Sequence, residues 1–528
     1  MKKNKIMILG AMLLMMLISS CRSESDSLMT YDHLDKMAFG KADTCFAEKF
    51  KILWNGLNQY YAWWDFEEQC GLDWDAVYDE YLPQFEVLDK KDYVSDGELE
   101  ELIAKVCSPL HDGHMAIIFK NHKTGAEVLY QPGVDRIKNR DDYAIAQNFT
   151  PSLRYYSQVA NGEVEVDSEG QPRVRSFSTK IITLLKQFYL EPGVGFNWVK
   201  AQIADLNALS DLTAEQLNKL NALEQLKDEL IILTSRGVDA AFISTFNEIA
   251  RKYGFLDVPG LSYIDPGYIT YGLDINFALL KGNIAYLQFS DFHLSPYLRP
   301  SGGEGLFDTS NPVVQQQMAE VRGVWEEWFN TVQQLHKAGT LGGVIIDVRG
   351  NGGGIQYDSY YITGSLLPEG GIPYGYSRFK RGTGRYDYST LQLSSQPTME
   401  ASRHEPITEP VVVMTNCISL SMSEMTTLLI RNMPNGTHIG KRSRGGICGL
   451  NMDNVEYTNN YVGHIGERGK TAVYVYLPQM STYTLDMEVV DGVGIAPDIE
   501  VSLDEAKFNA TGQDTQLDRA LQFIRTGQ

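Results

Sequence analysis

The feature that most constrains this chain is a buried strand running into a glycine-rich turn, followed further along by a serine-rich turn. The first segment reads VIIDVRGNGGG over 344–354, and the second reads ISLSMSEMTTLL over 418–429. Glycines allow close backbone approach and can present N–H groups to an anion, and the N-terminus of a helix also favours negative charge. Together the segments predict a nucleophilic hydroxyl beside an oxyanion hole, the combination that acyl transfer needs.

Length and charge narrow the classes of function. The chain has 528 residues, of which 43% are hydrophobic, which is enough for two or three domains with cores of their own. Its net charge of −21 excludes nucleic acid as an expected partner, since no basic stripe is present. The glycines of 350–354 lack the lysine and serine of a phosphate loop, and no metal-ligand pattern occurs, so neither a metal nor a cofactor is expected.

The N-terminus is typical of an exported protein. Three lysines among the first five residues precede an apolar run over 6–18, which predicts a signal peptide over 1–20. An uncleaved anchor helix is the alternative. The sequence ISSC ending at Cys21 resembles a bacterial lipobox. That resemblance implies lipidation of Cys21, a tether over 21–35, and a lipid-anchored location in the bacterial envelope, in the outer membrane, the periplasm or at the cell surface.

The other cysteines suggest no metal or redox chemistry. The five that follow Cys21 are widely spaced and form no C-x-x-C pair. Export permits disulfides, but none can be assigned from this spacing.

Periodicity divides the rest of the chain. Apolar residues at helical spacing predict a helical N-terminal domain over 36–120. The pattern over 121–270 is weaker, with turn signals and a leucine stripe that predicts a helix pair at roughly 197–253, so this is a mixed, partly helical middle region. Strand and helix signals alternate over 271–510, which predicts α/β structure with partly parallel pairing, and 511–528 reads as a C-terminal helix.

Three motifs in this order carry a family resemblance. Asp347–Gly354, Ser421–Glu424 and Gly494–Asp498 resemble the signatures of the S41 peptidases, which include the C-terminal processing (tail-specific) proteases and the core of tricorn protease. The resemblance implies an α/β fold with a crotonase/ClpP-like catalytic core, a serine-type mechanism and a peptide or protein substrate. It covers the N-terminal helices and everything after about 273. No PDZ signature is visible in 121–270.

The family has two ways of activating its serine, and the motifs here resemble the second. In the processing proteases a lysine does so, but Gly446 occupies the corresponding position and Lys441 is out of register. In the tricorn style a histidine does so, and LHDGHM over 110–115 resembles that element, which implies His114 as the base with His111 as the fallback. A neutral imidazole can accept the serine proton and return it to the leaving amine.

A histidine base needs an orienting acceptor on its second nitrogen. The family resemblance implies Asp491, although the family usually has glutamate at this position. Glu488 therefore remains the alternative acid.

The serine-rich turn offers three hydroxyls. Alignment on Glu424 selects Ser421 as the nucleophile, while Ser419 and Ser423 read better as helix-capping residues. The expected oxyanion donors are the N–H of Met422 and one from the glycine motif.

Within the glycine motif, the second oxyanion donor is the N–H of either Gly352 or Gly353, and the sequence does not decide between them. Its polar residues are expected to fix the loop. Arg349 alone is also a candidate for binding a substrate carboxylate.

The leading hypothesis is an exported, lipid-anchored serine endopeptidase. The alternative is a non-catalytic lipoprotein that keeps the same fold and binds peptide, lipid or glycan. This alternative is motivated by Gly446 and Asp491, which differ from the residues usual in the family at those positions. A third is a scaffold or uptake lipoprotein, supported by the tether alone.

Overall fold

The structure is a computed structural model of the chain. The signal segment, Cys21 and the tether lie outside the residues that it describes. The described residues are 42–148, 163–178, 195–235, 248–255, 273–299, 312–381, 384–395, 398–449, 464–466, 468–511 and 513–528.

The α-helices in the described part follow in chain order. They are α1 Phe46–Tyr60, α2 Trp64–Gln69, α3 Trp74–Asp89, α4 Asp96–Cys107, α5 Pro132–Lys138, α6 Tyr143–Asn148, α7 Gly195–Asn207, α8 Ala214–Ser235, α9 Ser295–Leu298, α10 Pro312–Lys337, α11 Met422–Arg431, α12 Glu505–Thr511 and α13 Thr515–Thr526.

The strands form three sheets. They are β1 Ala116–Lys120, β2 Glu127–Tyr130, β3 Val174–Ser178, β4 Asp274–Leu280, β5 Ile284–Phe289, β6 Gly343–Asp347, β7 Pro373–Phe379, β8 Gln392–Ser395, β9 Val411–Thr415, β10 Gly436–Gly440, β11 His464–Ile465, β12 Val473–Tyr476, β13 Met480–Tyr483 and β14 Ile499–Glu500.

The chain divides into two compact units that interleave along the sequence. The first unit comprises the chain up to 139 together with 375–394 and 444–494, and the second comprises 140–374, 395–443 and 495–528. The linear domain boundaries expected from the sequence stay predictions.

The first unit packs helices against an antiparallel sheet of order β11-β12-β1-β2. The predicted N-terminal helices are confirmed. Phe46, Phe50, Leu53 and Leu57 recur at helical spacing on α1 and are all buried in one apolar cluster. Helix α3 begins where the Asp73 side chain accepts hydrogen bonds from two backbone N–H groups.

The second unit is built on a seven-stranded sheet of order β14-β10-β9-β6-β5-β4-β3. Strands β5, β6, β9, β10 and β14 pair in parallel, and β3 and β4 are antiparallel additions at one edge. Every residue of β6 and β9 is buried, as expected for central parallel strands. The predicted α/β core with partly parallel pairing is confirmed.

Adjacent parallel strands bring the two sequence motifs to one edge of this sheet. Asp347 at the end of β6 pairs with Met414 near the end of β9, so the chain leaves both strands on the same side. The glycine motif follows β6 and the serine-rich turn follows β9. This is the edge where open α/β sheets commonly bind ligands.

The middle region contains the predicted helix pair. Helices α7 and α8 pack together through a small apolar cluster that includes Val199, Leu223 and Leu226. Within the described residues, no helix combines the length and the apolar character needed to cross a bilayer.

Candidate active site

Ser421 occupies a strained turn between β9 and α11. Its φ of 60° and ψ of −116° place a non-glycine residue in a sparsely populated backbone region. Such a conformation costs about 1–3 kcal/mol and persists only where the surroundings enforce it. A serine on a sharp strand-to-helix turn presents its hydroxyl in the manner of a nucleophile elbow.

The neighbouring serines are committed to structural hydrogen bonds. Ser419 Oγ donates to the carbonyl of Val348 at 2.7 Å, and Ser423 Oγ donates to the carbonyl of Asn351 at 2.9 Å. Both residues are fully buried, whereas Ser421 is partly exposed. The hydroxyls of Ser419 and Ser423 are therefore engaged by backbone carbonyls, and Ser421 is the partly exposed member of the three.

A buried glutamate fixes the elbow. The Glu424 carboxylate accepts from the Ser421 N–H at 3.2 Å and from the Ser443 hydroxyl at 2.6 Å. Ser443 Oγ in turn accepts from the Ile495 N–H at 2.7 Å. This chain of bonds ties the start of α11 to two later segments of the second unit.

The glycine motif packs directly on the elbow. Gly353 has a φ of +95°, and a Cβ added there would lie 2.6 Å from the Cβ of Ser421, so only glycine fits. Its N–H donates to the Asn351 side chain at 2.8 Å, and Asn351 donates to the carbonyl of Phe289 at 3.0 Å. The loop is thus held against the serine by its own asparagine.

These bonds distinguish the two glycines proposed as oxyanion donors. The Gly353 N–H is occupied by Asn351. For the N–H groups of Gly352 and Met422, no acceptor occurs in the described part of the chain. The pair Met422 and Gly352 is therefore favoured over Met422 and Gly353.

The expectation that Arg349 binds a substrate carboxylate is wrong. Its side chain is fully buried, and the guanidinium bonds to Asp347 at 2.6 Å and to Asp514 at 2.8 Å. Burial lowers the pKa of Arg349, but the two aspartates more than offset this and hold it well above its ordinary value. Arg349 anchors the glycine motif, as expected for the polar residues of this loop.

His114 lies in the first unit, in a turn held by its neighbours. Asp112 Oδ1 accepts from the backbone N–H groups of His114 at 2.7 Å and Met115 at 2.9 Å. A Cβ on Gly113 would lie 2.0 Å from the carbonyl oxygen of Gly445 and 2.6 Å from the Cα of Gly446. The glycine in the lysine position of the processing proteases therefore lies against the histidine turn.

Asp491 is the acid beside His114. One atom each from Asp112, His114 and Asp491 lie within 4.8 Å of one another. Asp491 is fully buried, whereas Glu488 is exposed. This geometry favours Asp491 over Glu488.

A buried thiol contacts Asp491. Burial, with nearby Asp491 adding to the effect, holds the pKa of the Cys448 thiol well above its ordinary value, and the thiol hydrogen-bonds to Asp491. Trp63 Nε1 donates to Cys448 Sγ at 3.0 Å. Sequence reasoning missed Cys448, because nothing in its spacing distinguishes it from the other cysteines.

The surroundings keep His114 neutral. Burial, reinforced by the positive charge of Arg444, lowers the pKa of His114 to about 4. Its Nδ1 is buried and has no hydrogen-bond partner among the described residues. A neutral imidazole at physiological pH is the form that can accept a proton.

A second histidine–acid pair adjoins this cluster. His111 Nδ1 lies 2.7 Å from Glu67 Oε2, and the His111 N–H donates to Glu67 Oε1 at 2.6 Å. The Tyr61 hydroxyl donates to the same oxygen at 2.5 Å. The sequence named His111 only as a fallback and missed Glu67, which is 44 residues away and belongs to no motif.

Lys441 has no features of a general base. Its ammonium pairs with Glu500 at 2.8 Å and with Asp141 at 3.4 Å. The hydrogen bond to Glu500 is the main cause that raises the pKa of Lys441 above its ordinary value. The lysine is thus kept protonated, which disfavours a serine–lysine mechanism.

The candidate residues fall into two groups. Ser421, Met422 and Gly352 lie together in the second unit, and His114 and Asp491 lie together in the first. The cysteines in the described part are free thiols, and Cys21 lies outside it.

Comparison with known proteins identifies one family model. Residues 283–501 match the model described as Peptidase family S41. The matched segment contains the glycine motif, the serine-rich turn and Asp491. No match was found among curated proteins.

Several solved structures resemble the chain weakly. A candidate peptidase from Parabacteroides merdae is 18% identical, with 90% of this chain and 95% of that chain covered and a TM-score of 0.44. Mature CPAF complexed with lactacystin is 11% identical, with 92% and 100% covered and a TM-score of 0.43. Tricorn protease is 19% identical, with 46% and 18% covered and a TM-score of 0.27. At these values the likenesses carry no argument about residue roles.

Proposed function

We propose that this chain, which matches peptidase family S41 over residues 283–501, is an exported serine endopeptidase with Ser421 as nucleophile. The observation that carries the assignment is the strained Ser421 turn packed against Gly353. Strain of this kind clusters at active sites, where the surrounding structure enforces it.

The proposed reaction uses both groups of residues. Ser421 Oγ attacks the substrate carbonyl while His114 takes its proton, and His114 later gives that proton to the leaving amine. Asp491 orients the imidazole through its other nitrogen. The N–H groups of Met422 and Gly352 bind the oxyanion, and loss of one such donor typically costs about 100- to 1000-fold in rate.

This proposal requires the imidazole of His114 to reach Ser421 Oγ. The support for this pairing comes from the protonation state of His114 and from the solvent exposure of Ser421. The base is neutral and lies beside a buried acid, and the nucleophile is the partly exposed member of three serines.

A serine-directed phosphonate tests the nucleophile. We expect the wild-type chain to be labelled at Ser421 and to cleave a peptide library, and Ser421→Ala to lose both labelling and cleavage. Ser423→Ala is the matched control, because its hydroxyl donates to a backbone carbonyl, and it should still be labelled. Labelling that survives in Ser421→Ala would refute the assignment, and a chain that neither labels nor cleaves would favour the binding-protein alternative.

We further propose that Cys21 carries the lipid that anchors the protein to the bacterial envelope. The support is the charged, apolar and ISSC pattern of the N-terminus. In cells fed an alkyne fatty acid, the wild-type chain should become labelled and fractionate with membranes. Cys21→Ala should be unlabelled, whereas Cys70→Ala, which removes an exposed thiol, should behave as wild type. Equal labelling of Cys21→Ala would contradict the anchor.

A further inference from the structure

We propose that Asp112, His114 and Asp491 form a binding site for a divalent transition-metal ion such as Zn²⁺, and that a bound ion inhibits the peptidase. The binding part stands on the geometry of the first unit. The inhibitory part rests on the proposed function, because it takes His114 as the base.

The three side chains form a ligand set of the right type and spacing. One ligand atom from each lies within 4.8 Å of the other two. Carboxylate oxygens and an imidazole nitrogen at about 2.0–2.2 Å are ordinary zinc ligands, and in a tetrahedral site they stand about 3.4 Å apart. Small side-chain rotations would bring these atoms onto one ion, and a water molecule would complete four-fold coordination.

Two of the three side chains have a buried polar atom with unmet bonding capacity. Asp112 is fully buried; its Oδ1 accepts two backbone N–H bonds, but its Oδ2 has no partner among the described residues. The buried Nδ1 of His114 also has no partner among them. A buried polar atom left without a bond costs about 1–3 kcal/mol, and a cation would supply the missing interaction for both.

The charged groups around the cluster have both signs. Glu67 acts on Asp112 as a further negative group, and Arg136 opposes it. Arg444 is the positive group that acts on His114. A divalent ion would place its positive charge beside the carboxyl groups of Asp112 and Asp491.

Inhibition is expected because we propose Nδ1 as the ligand atom of His114, since this buried nitrogen has no partner among the described residues. A metal on Nδ1 replaces the Nδ1–H that Asp491 must accept to orient the ring. A neutral imidazole that binds the ion through Nδ1 carries its proton on Nε2, so Nε2 has no lone pair with which to accept the Ser421 proton. The base would thus lose both its orientation and its basicity.

Metal binding is first measured without catalysis. Calorimetric titration of the Ser421→Ala full chain with Zn²⁺ should give one strong site, and Co²⁺ should give the visible absorption of a tetrahedral site. Asp112→Asn in this background keeps the Oδ1 acceptor for the turn but replaces Oδ2 by an amide nitrogen, so binding should weaken on the order of 100-fold. Glu488→Gln, an exposed acid near Asp491 in sequence, should bind as tightly as the parent.

A second variant guards against misfolding. If Asp112→Asn melts at a lower temperature than the parent, His114→Gln takes its place and should show the same loss of binding. Titrations that Asp112→Asn and His114→Gln leave unchanged would overturn the proposed site.

Inhibition is measured on the active chain. Peptide cleavage should fall as Zn²⁺ is added and return with a chelator, and Asp112→Asn should require a much higher Zn²⁺ concentration for half inhibition. An active enzyme that binds no ion in calorimetry would overturn this inference and leave the proposed function standing. A chain that binds the ion but cleaves nothing would support the site and refute the proposed function together with inhibition.

Discussion

At the scale of single residues, the proposed chemistry depends on how neighbours constrain Ser421 and His114. The backbone strain at Ser421 is balanced by Glu424, which holds its N–H, and by the close approach of Gly353. His114 is held by the two backbone bonds that Asp112 accepts. Each of the two proposed reactive groups is thus positioned by residues that need not touch the substrate.

The pH at which activity falls on the acid side of the pH–activity profile (the acid limb) should depend on the charge of Arg444. The proposed base must be neutral, and burial, followed by the charge of Arg444, lowers the pKa of His114 from 6.5 to about 4. Activity should therefore persist as pH falls below 6.5 and disappear only as pH falls through about 4. Arg444→Gln removes the smaller cause while burial remains, so the limb should move to higher pH but stay below 6.5.

The measurement is kcat/KM against pH for the wild-type chain and the variants. Arg444→Lys keeps the positive charge and should leave the limb near its wild-type position. A limb that does not move in Arg444→Gln would mean that the charge of Arg444 does not act on the base.

At the scale of elements, the parallel pairing of β6 and β9 explains why two distant motifs meet. Both motifs could be read from sequence, because a strand ending in glycines and a serine before an amphipathic helix are local patterns. The pairing of Asp347 with Met414 supplies the proximity that the local patterns only suggest.

The sequence could not reveal contacts that depend on distant pairing. The Glu67–His111 pair and the Cys448–Asp491 contact join residues that are 44 and 43 positions apart in the sequence. Arg349 was misjudged for the same reason, since its partner Asp514 lies 165 residues away and its burial has no local signal. Hydrophobic periodicity reports which face of an element is buried, but it does not report which element covers that face.

The two glycines of the proposed oxyanion loop, Gly352 and Gly353, should respond differently to alanine. At Gly353 a Cβ meets the Cβ of Ser421 at 2.6 Å, with the backbone at a φ of +95°, so Gly353→Ala should displace the loop or the elbow. At Gly352 a Cβ meets nothing within 4 Å, and alanine keeps the N–H that we propose as a donor. We expect Gly353→Ala to lose at least about 100-fold in kcat and Gly352→Ala to stay within a few-fold of wild type.

Thermal melting accompanies the kinetics, to show that Gly353→Ala remains folded. Equal losses in the two variants would contradict this explanation, because a Cβ at Gly352 meets no atom within 4 Å. Full activity of Gly353→Ala would mean that close packing of Gly353 against Ser421 is not needed for activity.

At the scale of the whole molecule, the first unit is assembled from stretches that lie far apart along the chain. The first unit takes residues from three separate stretches, and its apolar core joins Phe50 and Leu99 with Val473 and Leu477 from much later in the sequence. Strand β1 pairs with β12 in the same way. A boundary at 271, which the sequence suggested as the start of the catalytic core, separates these partners.

A fragment spanning 271–510 should therefore fail to fold as a native-like domain. It would keep β12 but lose β1, and it would expose buried residues such as Val473, Val475 and Leu477. Each large apolar side chain exposed in this way costs about 1.5–3 kcal/mol, so a few of them consume most of the 5–15 kcal/mol by which a domain is typically stable. We expect weak near-ultraviolet circular dichroism and strong dye binding for 271–510, and a cooperative melt for the matched fragment 42–528, which retains both stretches. A cooperative melt of 271–510 alone would show that the late segments do not depend on the N-terminal helices for their fold.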